Sequence, residues 1–169
     1  QISKGDPAPD ERNAVHQAAR DTLSDTDQLG AWTAALQVLG RVGTREDLPL
    51  IKKFTGIGLV ENRCAAMAAA MLISPDDGVK IYELHAGEMA YNGVLNQVAT
   101  AGPRCEPALL ALLKSDRRVC RYMALGLLGA HGTEKALDPI NQAKANETDA
   151  SLMSGYQQAI DDINTRTGR

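Results

Sequence analysis

The stretch Ala35-Leu36-Gln37-Val38-Leu39-Gly40-Arg41-Val42-Gly43-Thr44 decides the fold, because it returns as Ala124-Leu125-Gly126-Leu127-Leu128-Gly129-Ala130-His131-Gly132-Thr133. Six of the ten positions are identical, and Val38/Leu127 exchanges one aliphatic side chain for another. The offset is 89 residues, close to three times 30, so two further copies are expected between them. An internal period of this size is the mark of a repeat architecture.

Stepping from Ile51 finds the copies. The register meets Ile81, Leu110 and Ile140, at spacings of 30, 29 and 30. Each marker lies in a short apolar run: Asp47–Phe54, Asp77–Leu84, Glu106–Leu113 and Ala136–Ala143. A longer run precedes each and ends in a break, at Gly43-Thr44, Ser74-Pro75, Gly102-Pro103 and Gly132-Thr133. Gly, Ser and Pro at one recurring place stop a helix and turn the chain. Inside the longer runs the apolar residues fall at helical spacing: Ala35, Leu36, Val38, Leu39 and Val42; Ala65, Ala66, Ala68, Ala69 and Leu72; Val94, Leu95, Val98 and Ala101; Ala124, Leu125, Leu127 and Leu128. These are i, i+3, i+4, i+7 patterns without the alternation of strands. Asp10, Asp27, Asp77, Asp116 and Thr133 are candidate N-caps.

Helices are therefore expected at about 10–23, 27–41, 46–54, 59–73, 76–85, 88–100, 104–114, 116–130, 134–145 and 148–164. Paired, they make an all-α chain of about five helical hairpins. A hairpin cannot bury its apolar face alone, so each packs on the next. Residues 1–9, with Gly5, Pro7 and Pro9, read as a flexible N-terminal arm, and 10–169 as one repeat domain. His16, Arg20 and Asp21 roughen the first hairpin, and Gln157, Gln158, Asp161 and Asp162 make the last one polar, as terminal units require.

The period near 30, the Ala-Leu-x-x-Leu-Gly-x-x-Gly-Thr ending and the Leu48-Pro49-Leu50-Ile51 run resemble HEAT-like repeats, most closely the short phycobilisome-lyase type. The resemblance spans residues 10–164 and implies a right-handed α-α superhelix, or solenoid. Ala70 and Ala99 stand where the motif has its first Gly, and Ser74-Pro75 replaces Gly-Thr. Such repeats serve as scaffolds, adaptors and chromophore lyases, so the resemblance speaks to fold more than to function.

Composition narrows the function. The chain has 169 residues, 44% hydrophobic but only 4% aromatic, so small aliphatic side chains must fill the core. The net charge of −3 lacks the positive excess of a nucleic-acid binder. Arg117, Arg118 and Arg121 form the one basic cluster, confined to a single turn. No apolar run reaches the length of a membrane span. The chain begins at Gln1, not Met, which inclines the expectation toward an exported protein; free cysteines point the other way.

No catalytic set emerges. His16, His85 and His131 lie in different hairpins, and none is followed by Glu as in the HEAT-like iron enzyme deoxyhypusine hydroxylase. No metal ligand set results, and His16 and His85 read as solvated. Cys64, Cys105 and Cys120 have no zinc spacing and read as free packing thiols. Gly56-Ile57-Gly58 lacks the third glycine of a phosphate loop, and no nucleophile elbow is present. No cofactor is expected.

What remains is a stripe on the second helix of each hairpin, opposite its core positions. It reads Thr33, Gln37 and Arg41, then Arg63, Met67 and Met71, then Asn92, Asn96 and Thr100, then Tyr122 and Ala130, with Trp32, Tyr91 and Arg121 along its edge. Aromatic and Met side chains among Asn and Arg suit a protein-binding concave face. The expected protein-binding residues are thus Trp32, Thr33, Gln37, Arg63, Met67, Met71, Tyr91, Asn92, Asn96, Arg121 and Tyr122. The leading expectation is a non-catalytic scaffold or adaptor with another protein as partner. The alternatives are a tetrapyrrole binder or enzyme of the chromophore-lyase type, implied by the resemblance alone, and a structural subunit of a larger assembly. Gly40 and Gly129, with Ala70 and Ala99 between, mark a column where neighbouring helices approach closely. Gly43, Gly102 and Gly132 stand at helix ends, where a positive φ suits glycine.

Overall fold

The computed structural model describes residues 9–25, 28–85 and 91–168. Within them the regular structure is helical, with ten α-helices and no strand. They are α1 (Pro9–Ser24), α2 (Trp32–Val42), α3 (Leu48–Lys53), α4 (Val60–Ile73), α5 (Pro75–His85), α6 (Tyr91–Ala99), α7 (Glu106–Leu112), α8 (Arg118–His131), α9 (Leu137–Asn146) and α10 (Met153–Thr167). Short 3-10 turns lead into α2, α3, α7, α9 and α10. The ends match those expected from periodicity to within a few residues. The arm and the candidate cap Asp27 fall largely outside the described residues. Of the other proposed caps, Thr133 does cap a turn, its hydroxyl accepting from Lys135 N–H. Asp10 and Asp77 lie inside helices instead, and Arg117 takes the place expected of Asp116.

Packing follows the repeat. The odd-numbered helices pair with the even ones in α1–α2, α3–α4, α7–α8 and α9–α10. Contacts α2–α4, α4–α6 and α8–α10 join even helices, α5–α7 joins two odd ones, and α4–α5 joins successive helices. One apolar cluster extends from Ala19 and Leu23 in α1 to Ile160 and Ile163 in α10.

The small-residue column lies where neighbouring helices press close. A Cβ on Gly40 would stand 3.2 Å from Ala69 Cα, and one on Gly129 2.8 Å from Asp162 Oδ2 and 3.5 Å from Ala159 Cα. At the helix ends the expectation of positive φ holds for Gly102 (φ +59°) but not for Gly43 or Gly132, at −68° and −62°. Their glycines answer to space. A Cβ on Gly43 would strike Leu39 O and lie 3.0 Å from Ile73 Cδ1. One on Gly132 would meet Leu128 O at 2.6 Å and Ile163 Cδ1 at 3.2 Å. The same isoleucine-on-glycine contact thus recurs in two repeats.

Hydrogen bonds tie the two edges of the molecule differently. Along the edge where even helices end, Arg45 donates to Ser74 Oγ and Asp77, Arg104 to Arg41 O, Thr133 N–H to Glu106, and Arg166 to the carbonyls of Gly129 and Gly132. Along the edge where even helices begin, Thr33 donates to Asn62, Ser115 to Glu83, Arg121 to Glu147, and Arg118 to Ser151. Most of these ties join segments about one repeat apart, while Arg104 to Arg41 spans 63 residues, two repeats.

Candidate interaction surface

The stripe read from the sequence holds on α2 and α8 and fails on α4. Gln37, Asn96 and Tyr122 are exposed, and Thr33 is half-buried. Met67 and Met71 have 0% exposure, and Arg63 is half-buried. The reason is the place of α4, which touches α2, α3, α5, α6 and α7 and buries nine of its residues. Gly78 of α5 comes so close that a Cβ there would overlap Met71 Cα and N. The face carrying Met67 and Met71 is therefore core. Tyr91 and Asn92 open α6, and their side chains lie outside the described part of the structure.

Two edge residues of the stripe also prove to be internal supports. Trp32 is buried, stands edge-on to Phe54 at 4.8 Å between ring centroids, and donates from Nε1 to Asp25 O at 3.1 Å. Arg121 grips Glu147 through Nε and Nη2 at 2.9 and 3.2 Å and donates to Ser115 O at 2.8 Å. Arg118 pairs with Asp149 at 3.1 Å. The basic cluster thus serves to fasten α8 to the segment before α10.

What opens between α2 and α6 is floored by the other face of α4: Ala65, Ala68, Ala69 and Leu72, with Gln37 and Arg41 on one wall and Gln97 and Thr100 on the other. Its free space is about 20 Å³, room for one water. Roomier hollows of 310 to 440 Å³ lie between odd helices, but their walls carry exposed charged and amide groups such as Lys80, Lys114, Gln142 and Asn146.

The titratable groups are arranged for packing. Burial raises the pKa of all three thiols, that of Cys105 to about 11, and Cys64, Cys105 and Cys120 are buried and unbridged. Among the described residues no group of three His, Cys, Asp or Glu could hold a metal ion, and no helix is long and apolar enough to cross a membrane. His16 is not the solvated residue its sequence suggested: its Nε2 lies 2.7 Å from Asp47 Oδ2.

The apolar surface sits elsewhere than the stripe. Val15 in α1 is exposed on its own, and Ile57, Leu59, Val60, Leu84, Val119, Tyr122 and Met153 are exposed as well, Leu84 at 80%, Leu59 at 65% and Tyr122 at 62%. Apart from Val15, they belong to the edge where odd helices end and even helices begin. Val60 and Val119 occupy one repeat position, 59 residues apart. Only Tyr122 belonged to the expected site. A signal was present, since Ile57, Leu59 and Val60 are apolar residues placed beside Gly56 and Gly58 in a turn.

The fold defines the class as far as an all-α helical protein. Compared with protein-family models, curated proteins and solved structures, the chain matches none.

Proposed function

We propose that this chain is a small HEAT-like solenoid, five hairpins in a right-handed superhelix, that binds another protein without chemistry of its own. The repeat near 30 residues and the recurring glycine contacts between successive even helices support the architecture. The observation that carries the function is the concentration of Ile57, Leu59, Val60, Leu84, Val119, Tyr122 and Met153 along one edge. Exposed apolar residues gathered in one region mark interaction sites, whereas scattered ones carry no such meaning. Tyr122 supplies the aromatic anchor favoured at such sites. Attachment by an edge also suits a subunit of a larger assembly, since a side-on contact leaves the α2–α6 cleft free.

Photo-crosslinking groups at Tyr122, Leu84 and Leu59, compared with groups at Glu11 and Glu134, test this reading in the native source. The expected result is one recurrent partner chain joined through the edge positions only. Equal labelling at all five positions, or none at the edge, would overturn it.

A further inference from the structure

The first helix is attached unlike the others. Of its sixteen residues α1 buries only Ala19 and Leu23, where α4 buries nine and α8 five. Two side-chain ties converge on one carboxylate: His16 Nε2 lies 2.7 Å from Asp47 Oδ2, and Arg20 Nη1 donates to Asp47 Oδ1. His16 and Arg20 are four residues apart, so they reach from one face of the helix. Asp47 has 0% exposure. Beyond α1, Trp32 Nε1 holds Asp25 O at 3.1 Å and fixes the point where α1 leaves the body.

We propose that α1 is a releasable strap, latched on Asp47 by His16 and Arg20 and hinged at Asp25, that opens while the remaining helices stay folded. Closed without these two partners, the strap would seal an ion away from water, which is costly. Open, Asp47 regains water and keeps the Thr44 N–H at 2.7 Å, so release strands no charge. Besides these ties, a sixteen-residue helix with two buried side chains has only its packing on α2 to hold it. The two partners of Asp47 are partly exposed, at 24% and 38%, so salt reaches the Arg20 ion pair.

Amide hydrogen exchange on the full chain tests this with His16→Gln and Arg20→Gln combined, and with Arg12→Gln as a control on the same helix. In the double variant protection over residues 16–24 should fall by about tenfold or more, with α4 and α8 unchanged. Raising salt from about 0.05 to 0.5 M should speed exchange of α1 in the unmodified chain and leave the double variant unaffected. Unchanged protection of α1 in the double variant would overturn the strap. So would a parallel loss in α8, which would make α1 part of one cooperative unit.

Discussion

Arg121 lies along Glu147 with two nearly parallel bonds, Nε to Oε2 at 2.9 Å and Nη2 to Oε1 at 3.2 Å, joining α8 to the segment that precedes α10. The side chains are 16% and 4% exposed, and Tyr156 donates to the same carboxylate. Loss of one partner of a buried pair leaves the other charge uncompensated. Arg121→Ala should therefore lower stability by about 3 kcal/mol. Arg118→Ala, removing a guanidinium 64% exposed beside Asp149, should cost under about 1 kcal/mol. Urea midpoints decide; equal costs would remove Arg121 from the fastening of α8 to α10.

Two close glycine contacts inside helices, at Gly129 and Gly78, differ in what they touch, and the difference is testable. A Cβ on Gly129 meets the carboxylate end of Asp162, which can swing aside. A Cβ on Gly78 meets Met71 backbone, which cannot move without moving α4. Alanine gains about 1 kcal/mol over glycine in a helix interior. Gly129→Ala should thus come out near neutral, and Gly78→Ala should lose on the order of 3 kcal/mol. Gly129→Leu, too large to evade Ala159, should lose about 1–3 kcal/mol, against less than about 0.5 for the exposed Lys53→Ala. Thermal melts that rank Gly129→Ala below Gly78→Ala would contradict the close crossing of α4 and α5.

The helices were legible in the sequence because each longer run repeats and each ends on a breaker. The site was not, and α4 shows why. From Cys64 to Met71 every residue is Cys, Ala or Met, so no polar position marks an outer face. Aligning Met67 and Met71 with exposed Gln37 and Arg41 assumed that every even helix has an open side, and α4 has α5 against that one. Gly78 held the clue, as a glycine inside a helix. Asp47, Asp77 and Glu106 share a repeat position, so their part in the turns could have been read from the same step that located Ile51 and Ile81.

Burial separates Met67 from Tyr122 in a single comparison. Met67→Ala should cost about 2–5 kcal/mol through the cavity it leaves. Tyr122→Ala, at a residue 62% exposed, should stay within about 0.5 kcal/mol while weakening partner binding. If Met67→Ala leaves stability intact and reduces binding, the methionine face is the interaction surface after all.

The thiols report on the same core. Cys64, Cys105 and Cys120 are buried, and burial raises each pKa, so a thiolate is both hidden and disfavoured. At about pH 8 a chromogenic disulfide reagent should label none of them in the folded chain and all three in urea. Prompt reaction of one thiol without denaturant would show that its repeat opens locally.

Asp47 sets the acid limit of the first repeats. Burial alone would raise its pKa, but the Thr44 N–H, His16 and Arg20 outweigh that and hold it below its ordinary 3.8. With the folded value depressed, the stability that the carboxylate contributes is complete above 3.8. It is lost as pH falls from there through the folded value, because the unfolded chain takes up the proton first. Asp47→Asn removes the charge that His16 and Arg20 hold, at a cost of roughly 2 kcal/mol near neutrality. The gap between the two melting temperatures should then be constant above about pH 5 and shrink below the ordinary carboxylate value. Comparing the variants cancels most of what other carboxylates do over that range. A gap that widened on acidification would mean that folding raises the pKa of Asp47, with burial winning over its three donors, and the latch on α1 would lose its ionic basis.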